Sequence, residues 1–156
     1  MIRFSQNRKN SQLQVSGDRK RVVVRSGNHV CGNILGEDPL LPGNVYTWKL
    51  RYQGDRYGLF VGVIDESKFS RNDKSSRAHG IFNTGIIQGC LSGNNTKWNR
   101  GELLEINVSL VNYTLTIKSV SSSSINLTGT LPRLSSGNYY PFARLYYSDH
   151  VLEIVE

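Results

Sequence analysis

Leu104-Glu105-Ile106-Asn107-Val108-Ser109-Leu110 places an apolar side chain at every second position, and after Val111-Asn112 the run Tyr113-Thr114-Leu115-Thr116-Ile117-Lys118 does the same. Successive side chains of a strand point to opposite faces, whereas a helix repeats every 3.6 residues, so this spacing predicts two half-buried strands. The two residues between them are a turn, and the pair reads as an antiparallel hairpin with one wet face.

The same rhythm extends outward. Tyr46, Trp48, Leu50 and Tyr52 alternate with Thr47, Lys49 and Arg51, predicting a third strand with Trp48 on its buried face. Leu59 to Ile64 is apolar at every position except Gly62, as expected of a central strand covered on both sides. Shorter candidates are Leu13 to Val15, Arg21 to Val24, Ala78 to Phe82, Phe142 to Tyr147 and Val151 to Val155. Gly17-Asp18, Gly27-Asn28, Pro42-Gly43, Gly54-Asp55, Gly93-Asn94 and Gly137-Asn138 supply the turns, and Ser121 to Ser124 reads as a solvated hairpin loop. No stretch carries a helical stripe. An antiparallel sheet must cover its apolar face with a second layer, so the expected fold is an all-β, two-sheet antiparallel sandwich.

Size and composition suit one such domain. A chain of 156 residues can bury roughly 68–70% of its unfolded surface. With 38% hydrophobic residues and fifteen aromatics it can support a packed core. Residues 1–156 are therefore expected to form a single domain. Nineteen Lys and Arg against twelve Asp and Glu give a net charge of +7, which would attract an acidic peptide, a polyanion or an anionic membrane surface without selecting among them. Cys31 and Cys90 are too few for a disulfide framework and belong to no CxxC pair, so both are read as reduced thiols.

The opening MIRFSQNRKN is polar and basic, without the apolar stretch of a secretory signal, and no run is long enough to span a membrane. The expected location is intracellular, in the cytoplasm. The acceptor patterns at Asn94, Asn107, Asn112 and Asn126 are accordingly expected to stay unmodified.

Signs of catalysis are sparse. His29, His79 and His150 are far apart and lack metal-ligand spacing, so neither a metal nor another cofactor is expected. There is no G-x-S-x-G elbow, Walker loop or G-x-G-x-x-G fingerprint. Cys90 in GIIQGCLSG reads as a small, inert thiol rather than a nucleophile. Asp65 and Glu66 are adjacent and point opposite ways, so they do not make a carboxylate pair; Asp65 reads as a turn former or a ligand-facing acceptor rather than an acid catalyst. Basic residues are scattered without an aromatic-basic signature, which argues against a nucleic-acid partner.

The order of motifs resembles the SPRY or B30.2 domain family. Leu13-Gln14-Val15-Ser16-Gly17-Asp18-Arg19-Lys20-Arg21-Val22 is similar to the family's opening LxLSxDRKxV. Val45-Tyr46-Thr47-Trp48-Lys49-Leu50 stands where the family has HYWEV, followed by Gly58-Leu59-Phe60-Val61-Gly62-Val63. Arg100 to Ile106 with Leu115-Thr116-Ile117 resembles the hairpin GVxLDxxxGxLSF, and Tyr139-Tyr140-Pro141-Phe142-Ala143 resembles LYPAV. Ser119 to Ser124 replaces the usual Asn-Gly turn, and His79-Gly80-Ile81-Phe82 lacks the usual Trp.

This resemblance implies a bent, concanavalin-like sandwich with a PRY-like part over 1–44 and a SPRY part over 45–156. It further implies a non-catalytic module that binds a peptide or protein surface through its loops. Such modules serve as the recognition arm of larger proteins, tripartite-motif and SOCS-box ubiquitin ligases among them. The domain is expected to be monomeric within its parent and not to bind membranes. A lectin-like, glycan-binding sandwich is the alternative. The candidate loops are Gly27 to Asn44, Asp65 to His79, Gly89 to Arg100 and Tyr146 to His150. Tyr, Trp and Arg dominate interface energetics, and the side chains nominated as partner-binding hot spots are Tyr57, Lys68, Arg71, Arg77, Trp98, Tyr139, Tyr147 and His150.

Overall fold

A computed structural model describes residues 1–25, 32–73 and 77–156. Among them the chain forms β1 (Phe4–Lys9), β2 (Leu13–Val15), β3 (Arg21–Val24), β4 (Gly32–Gly36), β5 (Val45–Gln53), β6 (Phe60–Asp65) and β7 (His79–Phe82). There follow β8 (Ile87–Gln88), β9 (Ser92–Asn95), β10 (Leu104–Ser109), β11 (Thr114–Ser119), β12 (Ile125–Thr130), β13 (Tyr139–Leu145) and β14 (Val151–Val155). The one helical element among these residues is a 3-10 turn, Glu66–Lys68, and no helix is long and apolar enough to cross a membrane.

Two antiparallel sheets result: a six-stranded one ordered β1-β4-β13-β6-β7-β8 and an eight-stranded one ordered β2-β3-β14-β5-β10-β11-β12-β9. The predicted all-β sandwich is therefore present. The first four strands are shared between the layers, β1 and β4 in one and β2 and β3 in the other. The hairpin of β10 and β11 pairs Ile106 with Ile117 and Val108 with Leu115, while the other edge of β10 pairs Ile106 with Trp48 of β5. Trp48, Leu50, Leu104, Ile106, Val108, Leu115 and Ile117 all enter the core between the sheets.

β6 is apolar on both faces because each face has its own cover. Val61 and Val63 point into the core between the sheets, whereas Phe60 and Ile64 join a second cluster with Leu35, Ala78, Tyr140 and Phe142. Phe69, from the segment between β6 and β7, packs on that second cluster. The guanidinium of Arg8 stacks above Phe69 at 5.7 Å and Tyr140 at 5.0 Å. Asp65 accepts a hydrogen bond from the Ser67 N–H, the turn-forming role expected of it.

Several strands escape the alternation rule. β4 lies inside the segment Gly27 to Asn44 expected to be a loop, and it is buried at all five positions, its polar Asn33 included, so no exposed residue marks its phase. β9 falls in the expected loop Gly89 to Arg100; it is wholly exposed and is held as an edge strand by its pairing with β12. β1 has buried residues only at Phe4 and Ser5, and β13 begins three residues before the expected start. β12 does alternate, with Ile125 and Leu127 inward. The expected Gly27-Asn28 turn, His29 and Cys31 lie outside the described residues.

Candidate functional site

Four connections meet at one pole of the sandwich: residues 54–59 after β5, 83–86 after β7, 96–103 after β9 and 146–150 after β13. Their meeting point is the backbone carbonyl of Arg56, which accepts hydrogen bonds from Asn83 Nδ2 and His150 Nε2, both at 2.9 Å. The Asn83 carbonyl in turn accepts the Trp98 N–H at 3.0 Å, and the Asp55 N–H donates to Asp149 at 3.0 Å. Arg100 forms an ion pair with Asp55 across the rim.

The hydrogen bonds fix the His150 tautomer. Its Nδ1 accepts from the N–H groups of Tyr146 (3.0 Å) and Tyr147 (3.2 Å), so the proton sits on Nε2, which faces a carbonyl. The ring is fully buried, and burial holds its pKa below the usual value of 6.5. A neutral imidazole thus clamps residues 146–150 to residues 54–59.

Two adjoining hollows open on this pole. One, of about 710 Å³, is lined by Arg56, Lys97 and Arg100 together with Asp55, Tyr52 and Asn83. The other, of about 370 Å³, is lined by Tyr57, Phe82, Ile86 and Tyr146, with the buried Arg144 also in its wall. Tyr57 and Thr84 belong to both. Tyr57 is 65% and Ile86 63% exposed, a large apolar surface left to water beside a cationic one. Gly58 permits this crowding. Its φ is +100°, and an added Cβ would stand 3.2 Å from the Tyr146 Cβ.

The nominated residues divide. Tyr57 is at the site and exposed. Lys68, Arg71 and Arg77 are exposed but belong to the segment between β6 and β7, away from both linings; Arg71 donates to the Asn7 carbonyl. The other four are corrected from surface to interior. Trp98 is fully buried, its Nε1–H donating to the Glu102 carbonyl and its ring edge-on at 4.6 Å to Tyr52, which lines the cationic hollow. Tyr139, 2% exposed, donates its hydroxyl to the Pro132 carbonyl, and burial pushes its phenol up to about 12. Tyr147 is buried beneath Tyr57, ring centroids 5.6 Å apart, with the Arg56 guanidinium over its face at 4.8 Å. His150 is the clamp described above. Large side chains with a polar handle satisfy both hydrophobic burial and hydrogen bonding, so a position near a loop does not make them external.

Arg56, Asn83, Ile86, Lys97 and Arg100 were missed. Gly54-Asp55 was read as a turn, and Gly54-Asp55-Arg56-Tyr57-Gly58 carries the signal that its central residues stand out from the surface. The exposed Ile86, one residue after Gly85, was legible in the same way.

The other reactive side chains are engaged in structure. The Cys90 N–H donates to His79 Nδ1 at 3.0 Å, and burial lowers the His79 pKa and raises that of the Cys90 thiol. A raised thiol pKa is the opposite of nucleophile activation. Among the described residues no three His, Cys, Asp or Glu are grouped so as to hold a metal ion. The site can therefore bind by apolar burial and cationic pairing.

Comparison with solved structures identifies the fold. The chain aligns over 99% of its length with the TRIM65 PSpry domain, covering 89% of that chain at a TM-score of 0.69 and 14% identity. It aligns over 98% of its length with the SPRY domain of human HERC1, covering 97% of that chain at a TM-score of 0.70 and 14% identity. A match to stonustoxin covers 99% of this chain and 27% of that one, with a TM-score of 0.68 and 13% identity. No family model matches the sequence, and no curated protein matches it. The chain has the SPRY/B30.2 fold, as the sequence motifs anticipated.

Proposed function

We propose that this domain is a non-catalytic protein-interaction module that takes a polypeptide segment across the pole, seating an apolar side chain against Tyr57 and Ile86 and acidic groups near Arg56 and Lys97. The observation that carries this reading is the joint exposure of Tyr57 and Ile86 in one hollow beside three cations. Exposed apolar surface rimmed by polar groups marks interaction sites, and an aromatic anchor in a pocket is where interface energy concentrates. The frame beneath is stiff, since His150, Asn83 and Trp98 tie the loops together. Little ordering entropy therefore remains to be lost on binding. The shared fold with SPRY domains supports the same reading.

The test is selection from a displayed random-peptide library by the native chain and by a Tyr57→Ala/Ile86→Ser variant, alongside a glycan array. The expected result is peptides enriched by the native chain, sharing an apolar residue flanked by acidic ones, and lost with the variant while its melting temperature stays unchanged. Saturable glycan binding with no selected peptide would overturn the proposal.

A further inference from the structure

We propose that the cationic hollow receives a phosphoryl group carried by the polypeptide ligand, so that the domain reads a phosphorylated residue next to an apolar one; this rests on the interaction reading above. The lining holds three cations, Arg56, Lys97 and Arg100, against one carboxylate, Asp55, leaving two positive charges. A phosphoryl group carries about −1.5 to −2 at neutral pH, whereas a carboxylate would offset only half of the excess. Arg56 and Lys97 have no carboxylate partner among the described residues; Arg56 instead stacks on Tyr147. The pair between Arg100 and Asp55 is largely exposed, so it is weak and its guanidinium can turn to a stronger anion.

Two further acids are near. Asp149 accepts the Asp55 N–H, and Glu102 accepts the Trp98 Nε1–H on its backbone carbonyl; neither residue belongs to the lining. Elsewhere six basic residues of the described chain stand in ion pairs. Arg3 and Lys20 pair with Glu156, Arg8 with Glu66, Arg19 with Glu37, Arg51 with Glu153 and Lys118 with Glu105. What sets the pole apart is that Arg56, Lys97 and Arg100 line one concave volume of about 710 Å³, as suits a compact dianion rather than an extended polyanion. Asn99 and Thr84 add an amide and a hydroxyl to the wall. Because Tyr57 and Thr84 border both hollows, one short segment can fill the two at once.

The test offers the full chain a degenerate peptide library with one fixed phosphorylated residue and the same library after phosphatase treatment, while phenyl phosphate is titrated against its amide spectrum. Enrichment about tenfold greater from the phosphorylated library is expected, with saturable shifts at residues 83–85 and 97–100. Lys97→Glu should abolish the preference, and Asp55→Asn should strengthen it by freeing Arg100. Equal selection from both libraries, still sensitive to Tyr57→Ala, would overturn the phosphoryl assignment and leave the interaction reading standing. Failure to select from either library would sink both.

Discussion

The Nε2–H of His150 donates to the carbonyl oxygen of Arg56 across 2.9 Å, joining the last loop of the chain to the loop that carries Tyr57. The ring that makes this bond also accepts two N–H groups on its other nitrogen, so protonation would set a third N–H against them. Burial lowers the pKa of both His150 and His79 from 6.5 in the native state. As pH falls below 6.5, the unfolded chain takes up protons that the folded chain refuses. The stability these neutral rings contribute is present above that pH and drains away as pH falls toward their folded values. Urea midpoints should therefore decline on acidification from neutral pH. His150→Ala should cost about 3 kcal/mol at neutral pH, for the packing lost and the two N–H groups left unpaired, and should flatten the acid slope.

Trp98 and Tyr57 should separate stability from binding. Trp98→Ala empties a fully buried site and should cost about 3–5 kcal/mol in denaturant titration. Tyr57→Ala, at a side chain 65% exposed, should change stability by less than about 1 kcal/mol yet weaken capture of a selected peptide about tenfold or more.

Gly62 and Gly80 face each other across β6 and β7, and an added Cβ would meet the His79 carbonyl oxygen at 1.9 Å and the Val61 carbonyl oxygen at 2.0 Å respectively. Alanine at either should push apart strands that bear both apolar clusters, costing more than about 3 kcal/mol. Gly17→Ala, where nothing lies within 4 Å, is the control and should stay within about 0.5 kcal/mol. Thermal melts of the three variants check this.

Cys90 should react slowly with a thiol-specific reagent in the native state, because burial raises its pKa and thins its thiolate population. Labelling mapped to the peptide containing Cys90 should accelerate sharply in denaturant. Fast native labelling would mean that the segment after β8 opens readily.

Binding of an acidic peptide at the pole should weaken as salt rises, since exposed charges are screened beyond about 10 Å at 0.1 M. Lys97→Glu should reduce the association rate more than it raises the dissociation rate. Surface plasmon resonance at two ionic strengths distinguishes this from anchoring by Tyr57 alone, which would be insensitive to salt.

The sequence by itself determined the strands whose two faces differ. Leu104 to Ile117 and Tyr46 to Tyr52 announce their register because one face meets the core and the other meets water, a contrast written into neighbouring residues. It nominated Tyr57 by residue type alone, and the fold leaves that ring exposed. Tertiary structure alone decided the rest. β4 is buried on both faces and β9 on neither, so neither carries a local contrast to read. Trp98, Tyr139, Tyr147 and His150 are interior because a second layer or a neighbouring loop covers them, and no pattern along the chain records what lies across from a residue. The pole draws on residues 54–59, 83–86, 96–103 and 146–150, whose proximity is created by sheet pairing between distant strands. Burial and convergence are properties of what surrounds a side chain, and those surroundings come into being only when the layers close.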